Sequence, residues 1–174
     1  SRSERDRTPI GVVVADLDRF KAINDTHGHF AGDVALQESA RGMQGSVRAY
    51  DAIGRYGGEE FLIVLPGADA DAVRSQAERM RNAVRLRPVH TSEASLNVTC
   101  SFGCTFGIGG EVTAEALIRA ADEALYLAKR AGRDRSVLIP TPKVVEDLPG
   151  LEDEVAWLCI DNRVPELESP LALE

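Results

Sequence analysis

Two pairs of acids stand where chemistry could be done. Asp16 and Asp18 close the apolar run IGVVVADLD (10–18). Glu59 and Glu60 lie side by side in RYGGEEFLIVLP (55–66), between two apolar segments. A hairpin turn needs residues that tolerate positive φ, and Gly57 and Gly58 meet that need. It does not need adjacent carboxylates, which repel. A solvated turn is the plain reading; a tip that holds a carboxylate against something positive is the sharper one. Converging acids at a strand end suit a hard divalent cation with oxygen ligands, Mg²⁺ above all. Such ions usually accompany substrate phosphates, and two of them can activate an attacking oxygen and stabilise a leaving pyrophosphate. The competing reading makes Asp16 and Asp18 a strand end that uses aspartate as a stop.

Cations for a phosphate are available. Lys129 and Arg133 are four apart near the end of the last predicted helix. The helix macrodipole alone also favours cations there. No Walker A sequence or dinucleotide fingerprint is present, so a phosphate site must use metal, backbone N–H groups and these side chains. His27 and His29 fall in a loop without a thiolate and read as hydrogen-bonding residues. Asn24 and Asp33 are good turn and N-cap types. Neither a Ser-His-Asp nor a Cys-His arrangement can be argued from spacing. Cys100 and Cys104, four apart in a strand-like run, face one side and read as reduced core thiols, as does Cys159.

The net charge of −8 is uneven: residues 141–174 hold nine acids and two bases, −7, which leaves −1 for residues 1–140. A near-neutral body argues against DNA or RNA, which are held by phosphate neutralisation. It does not argue against a small nucleotide. No apolar run is long enough for a bilayer and no basic-then-apolar leader is seen, so the expected location is cytoplasmic, without membrane contact.

These groups need elements to position them. Residues 1–9 read as a loose lead-in, 10–140 as one domain, and 141–174 as an acidic, proline-containing and partly disordered tail that could pack only around Trp157. Within the domain, 10–18 reads as a buried strand. FKAINDTHGHFAGD reads as a short helical or looped crossover, and VALQESARGMQGSVR as a helix. A hairpin follows at 52–66. Val73, Ala77, Met80 and Val84 make a helical stripe. LNVTCSFGCTFGI is a strand with a bulge or break near Gly103. Thr113 caps a helix closed by Gly132, and SVLIP is a short last strand. The first six elements give an α+β, ferredoxin-like βαββαβ pattern: a central antiparallel sheet flanked by helices. Its first strand lies beside the hairpin, so Asp16 and Glu59 can meet although 43 residues separate them.

Taken together, DLDRFKAINDTHGHFAGD (16–33), RYGGEEF (55–61) and ALYLAKRAGRDR (124–135) resemble the signatures of the GGDEF family, the diguanylate cyclases, in the GGEEF version. The resemblance runs over about residues 10–138. It implies a palm-like nucleotidyl cyclase in which an antiparallel homodimer, one GTP per protomer, forms cyclic di-GMP and two pyrophosphates. The cofactor it implies is Mg²⁺, two per active site, with Mn²⁺ as a substitute. By motif, Asp16 and Glu59 resemble the metal-binding carboxylates, with the Leu17 carbonyl as a further ligand. Glu60 resembles the second signature acid, near the reacting ribose, and completes the catalytic set. Asn24 and Asp33 resemble the residues that read guanine; a carboxylate can accept from N1–H and the amino group, a donor pair adenine lacks. The N–H groups of Phe20 and Lys21, with Lys129 and Arg133, resemble the phosphate cradle. Gly57 and Gly58 let substrate approach where a Cβ would obstruct it.

RAYD, Arg48 to Asp51, stands five residues before the signature. It resembles the family's R-x-x-D inhibitory product site, and Arg79 resembles a secondary residue of that site. A salt-bridged turn is the local alternative. The family's opening D-x-L-T-x-L-x-N-R-R segment, its helix before the first strand, and a sensory or receiver domain that would aid dimerisation have no counterpart in these 174 residues. The alternative function is a cyclic di-GMP receptor with little turnover. A cyclase for ATP or mixed substrates is a third, against which Asp33 argues.

Overall fold

The computed structural model describes residues 7–91 and 95–143. The elements are β1 (Pro9–Leu17), α1 (Phe20–Gln44), β2 (Ala52–Arg55), β3 (Glu60–Pro66), α2 (Ala70–Arg85), β4 (Val89–His90), β5 (Ser95–Leu96), β6 (Cys100–Ile108), α3 (Ala114–Arg130) and β7 (Ser136–Pro140). The main sheet runs β2-β3-β1-β6-β7, and β4 and β5 form a separate two-stranded ribbon. The expected tail at 141–174 lies outside the described residues beyond Lys143.

β1 is central because both its faces are covered. Val13, Ala15 and Leu17 pack with α1 and α2 through Ala35, Leu36, Met43, Val73, Ala77 and Met80. Val12 and Val14 pack with Leu117, Ala121 and Leu125 of α3. A strand buried on both faces reads as a continuous apolar run. The same alternation puts Asp16 on the face of α3 and Leu17 on the opposite face.

Three expectations are corrected. Phe20–Gln44 is two helical segments run together across Gly28, whose φ of 80° and ψ of 162° are not helical, so the crossover is helical, one of the two forms expected of it, and the second helix starts before Val34. Asp33 therefore lies inside the helix, and the N-cap is Arg19, left-handed at φ 56° with no side-chain cap. β6 runs unbroken through Gly103. The reason for a glycine there is space: a Cβ would lie 2.1 Å from both Ala121 O and Leu125 N of α3. The ferredoxin-like part is as expected, with the β1–β3, β1–β6 and β2–β3 pairs all antiparallel; β7, outside those six elements, adds a parallel partner to β6 after the α3 crossover. Finally, Gly57 and Gly58 are not among the positive-φ residues. The turn closes instead through the N–H groups of Tyr56 (2.8 Å) and Gly57 (3.3 Å) on Glu60 O. The Arg55 guanidinium adds bonds to the Gly57 and Gly58 carbonyls at 3.2 and 3.1 Å from Nε. The Thr113 cap is present, accepting from Ala116 N–H at 3.1 Å.

Candidate active site

The register of β1 against β3 builds the acidic end of the site. Asp16 pairs with Glu60, and the next step brings the Leu17 N–H to the Glu59 carbonyl at 3.3 Å. Residues directly opposite on antiparallel strands share a face, so Asp16 and Glu60 are neighbours on the side of α3. There Lys129 Nζ meets Asp16 Oδ2 at 2.8 Å, with Asp16 almost fully buried. Burial raises the Asp16 carboxyl above the ordinary aspartate range; Lys129 works against that, and the charges of Glu60 and Asp18 add to it. Lys129 thus pairs with a carboxylate that burial and its acidic neighbours make costly to keep charged. Among the described residues no group of three or more acid, histidine or cysteine side chains is already clustered as a metal cage. The donors that do meet are oxygen only, the chemistry of a hard divalent ion.

The phosphate-binding candidates surround this end. Phe20 and Lys21 occupy the first turn of α1, where backbone N–H groups have no helical partner. Without a side-chain cap at Arg19 those donors stay available to an anion. Arg133 lies in the loop after α3, beside a cleft of about 510 Å³ that Arg19, His27, Asn97, Thr99 and Asp134 also line. Its backbone is left-handed at φ 64°, followed by Asp134 at φ 43°. Outside glycine that conformation costs about 1–2 kcal/mol per residue.

Asn24 and Asp33 lie on either side of the Gly28 kink in α1. Asn24 Oδ1 is buried without a hydrogen-bond partner. It sits over Gly32, where a Cβ would be 1.9 Å from that oxygen. A buried acceptor left unsatisfied calls for a donor from outside the chain. Asp33 is exposed. At the signature turn, a Cβ on Gly58 would meet nothing within 4 Å, so the approach to that backbone is open, while one on Gly57 would lie 2.6 Å from Glu60 Oε2.

The RAYD turn is preformed. Arg48 N–H donates to Asp51 Oδ2 at 2.8 Å, and Asp51 N–H to Arg48 O at 3.0 Å. The Arg48 guanidinium donates to Tyr50 Oη at 2.9 Å and lies 5.8 Å from that ring's centroid. Arg79, on α2, hydrogen-bonds Gln76, whose Nε2 donates to Ser46 O at 2.8 Å. Gln76 therefore ties the helix of Arg79 to the segment leading to Arg48. Sequence reasoning missed it; a polar residue three positions after Val73, on the apolar stripe, was its signal. Asp18 was also missed as more than a stop. It is buried and accepts from Thr99 Oγ1, Ser101 Oγ and Asp134 N–H. Those partners are more than 80 residues away, so no local pattern announces them.

The comparisons with known proteins agree with this arrangement. The family model described as "Diguanylate cyclase, GGDEF domain" matches residues 1–135, which takes in the lead-in as well as the motifs. The diguanylate cyclase DgcP of Pseudomonas aeruginosa is 44% identical over 135 residues, 78% of this chain and 20% of that protein. The chain spans only 20–37% of the length of the first curated relatives it matches. Among solved structures, the diguanylate cyclase SiaD of Pseudomonas aeruginosa, crystallised with its activator SiaC, is 42% identical with a TM-score of 0.75, over 79% of this chain and 53% of that one. The GGDEF domain of DgcB from Caulobacter crescentus, in complex with c-di-GMP, is 32% identical with a TM-score of 0.74, over 79% and 81%. Separate motifs in order, a shared sheet architecture and identities of this size leave one assignment: the chain belongs to the GGDEF family.

Proposed function

We propose that this chain is a diguanylate cyclase domain that condenses two GTP into cyclic di-GMP and two pyrophosphates, as a homodimer with one GTP per protomer. The observation that carries the reading is the buried Asp16 carboxylate, paired with Lys129 and facing Glu60. Family membership and the printed activities of the relatives support it. The oxygen donors fit Mg²⁺, with Asp16, Glu59 and the Leu17 carbonyl as the residues that would hold it. Bound Mg²⁺ would supply activation of the attacking hydroxyl and charge relief at the leaving pyrophosphate.

The chain's own groups do the rest. Asn24 Oδ1, buried and unpartnered, accepts from the guanine amino group, and Asp33 accepts from N1–H. The N–H groups of Phe20 and Lys21 and the side chains of Lys129 and Arg133 bind the phosphates and fix the triphosphate's orientation. Glu60 stands beside Asp16, near the reacting ribose. Arg48 and Asp51, with Arg79, bind the product: the guanidinium grips phosphate or stacks on guanine, and Tyr50 already lies against it. Among the described residues no helix is long and apolar enough to cross a membrane.

The test is incubation at high protein concentration with GTP and Mg²⁺, with products identified by chromatography. Cyclic di-GMP is expected to accumulate and then stall. Arg48→Ala is expected to prolong synthesis and weaken product binding roughly tenfold or more, the loss of one charge-assisted contact. Asp16→Ala is expected to do the reverse, ending synthesis while sparing product binding. A wild-type protein that binds cyclic di-GMP but makes none, even when its dimerisation is forced, would be a receptor instead. Equal loss of product binding in both folded variants would refute the separation of the two sites.

A further inference from the structure

The loop after α3 contains three successive residues with positive φ: Gly132 at 112°, Arg133 at 64° and Asp134 at 43°. Such a run persists only where the surroundings over-determine it. Here they grip Asp134 by three atoms. Its N–H donates to Asp18 Oδ2 at 3.0 Å. Its Oδ1 and its carbonyl accept from Arg81 Nη1 at 2.9 and 3.3 Å.

Both gripping residues are themselves fixed. Asp18 is held by Thr99 Oγ1 at 2.7 Å and Ser101 Oγ at 2.6 Å. Arg81, on α2, is held by Glu78 at 3.0 Å, and Glu78 accepts from Ser136 Oγ at 2.6 Å. On the other side of Arg133, its N–H donates to Ala128 O at 3.1 Å, and Phe102 N–H donates to Arg135 O at 2.9 Å. The segment Arg133–Arg135 is thus tied to Asp18 just past β1 and to α2, α3 and β6. Its side chain is the opposite: exposed, with no hydrogen bond or ion pair among the described residues. Strong constraint on a backbone that carries an unpartnered cation suits a residue kept ready for an anion.

We propose that Asp18 and Arg81 are positioning residues which, by clamping Asp134, hold the left-handed Arg133 so that its guanidinium meets the terminal phosphates of the bound nucleotide. The proposal rests on the reading of Arg133 as a phosphate ligand. The competing account is a polar network that merely stabilises the loop, and the two differ in what they move. A stabilising network affects thermal stability and every ligand alike. A positioning clamp affects ligands with terminal phosphates and acts only through Arg133.

The experiment compares calorimetric affinities, with Mg²⁺, for 3′-deoxy-GTP and GMP. The first keeps the triphosphate but lacks the hydroxyl that would attack, so no turnover interferes. Arg133→Ala is expected to weaken 3′-deoxy-GTP about tenfold, from the loss of one charge-assisted contact, and to leave GMP unchanged. Arg81→Gln and Asp18→Asn are expected to weaken 3′-deoxy-GTP about three- to tenfold, again with GMP unchanged. Adding Arg81→Gln to Arg133→Ala should weaken binding no further, since effects that run through one residue do not add. If Asp18→Asn fails to fold, Arg81→Gln and the double variant decide alone. Wild-type affinity in Arg81→Gln, an equal loss for GMP, or additive losses in the double variant would overturn the proposal while leaving Arg133 as a phosphate ligand. Full 3′-deoxy-GTP affinity in Arg133→Ala would remove that reading and the proposal with it.

Discussion

Glu59→Gln abolishes synthesis of cyclic di-GMP and leaves the fold intact; this is the expected result with the largest effect on activity. The substitution keeps the shape of the side chain and removes its charge. Nothing that closes the hairpin uses the Glu59 carboxylate: the turn is held by Tyr56 and Gly57 N–H on Glu60 O and by Arg55 on the Gly57 and Gly58 carbonyls. Denaturation midpoints should therefore stay within about 0.5 kcal/mol of the parent, as for a surface change away from structural contacts. Turnover should fall about a thousandfold or more, the scale of losing one charged group that acts on the transition state. Initial rates with GTP and Mg²⁺ beside a urea curve measure both. A folded Glu59→Gln protein with full activity would sink the assignment.

The second large effect lies in packing. Gly103→Ala is expected to destabilise the domain by about 3 kcal/mol, at the upper end of overpacking penalties. The added Cβ would sit 2.1 Å from Ala121 O and Leu125 N and 2.6 Å from Leu125 Cα, all helix backbone. No side chain can turn aside, so α3 itself must move. That helix carries Lys129 and leads into Arg133, and a displacement near 1 Å can cost about a hundredfold in rate. Gly54→Ala is the control, because a Cβ there meets nothing within 4 Å. Urea midpoints and GTP turnover on the two variants check the expectation. Equal stability of Gly103→Ala and Gly54→Ala would contradict it.

The parts of the fold with strong periodicity were legible in the residues. β1 showed as an apolar run because both its faces are buried, and α2 showed as a stripe because one face is. The cap at Thr113 followed from side-chain chemistry. Cys100 and Cys104 are buried as expected, and burial pushes both thiols upward; Cys159 lies outside the described residues. The second half of α1 was expected to start later than it does because its fully buried residues begin only at Ala31; before Gly28, Phe20 and Ile23 pack against the core. β4 and β5, of two residues each, are too short to show alternation. The parallel pairing of β7 depends on where the α3 crossover returns, which no local pattern reports.

At the site, the approach of Asp16 to the hairpin followed from topology alone. The finer register did not: a one-residue step decides whether Glu59 or Glu60 lies opposite Asp16, and a turn whose glycines need no positive φ gave no landmark to count from. Asp18 and Gln76 act through partners distant in the chain, so their roles exist only in three dimensions.

On the proposed function, the Lys129–Asp16 ion pair would make nucleotide capture an exchange of partners. In the resting site each charge already has a mate; the Asp16 side chain, 8% exposed, loses its partner only at a large penalty, whereas that of Lys129, 34% exposed, keeps access to water. A lone triphosphate would take Lys129 only by stranding the buried Asp16. A ligand that brings both signs at once lets the two swap mates in one step: carboxylate to metal, ammonium to phosphate. On the proposed function, such a domain would favour the metal–nucleotide complex over the bare triphosphate, with its ground state serving as the filter.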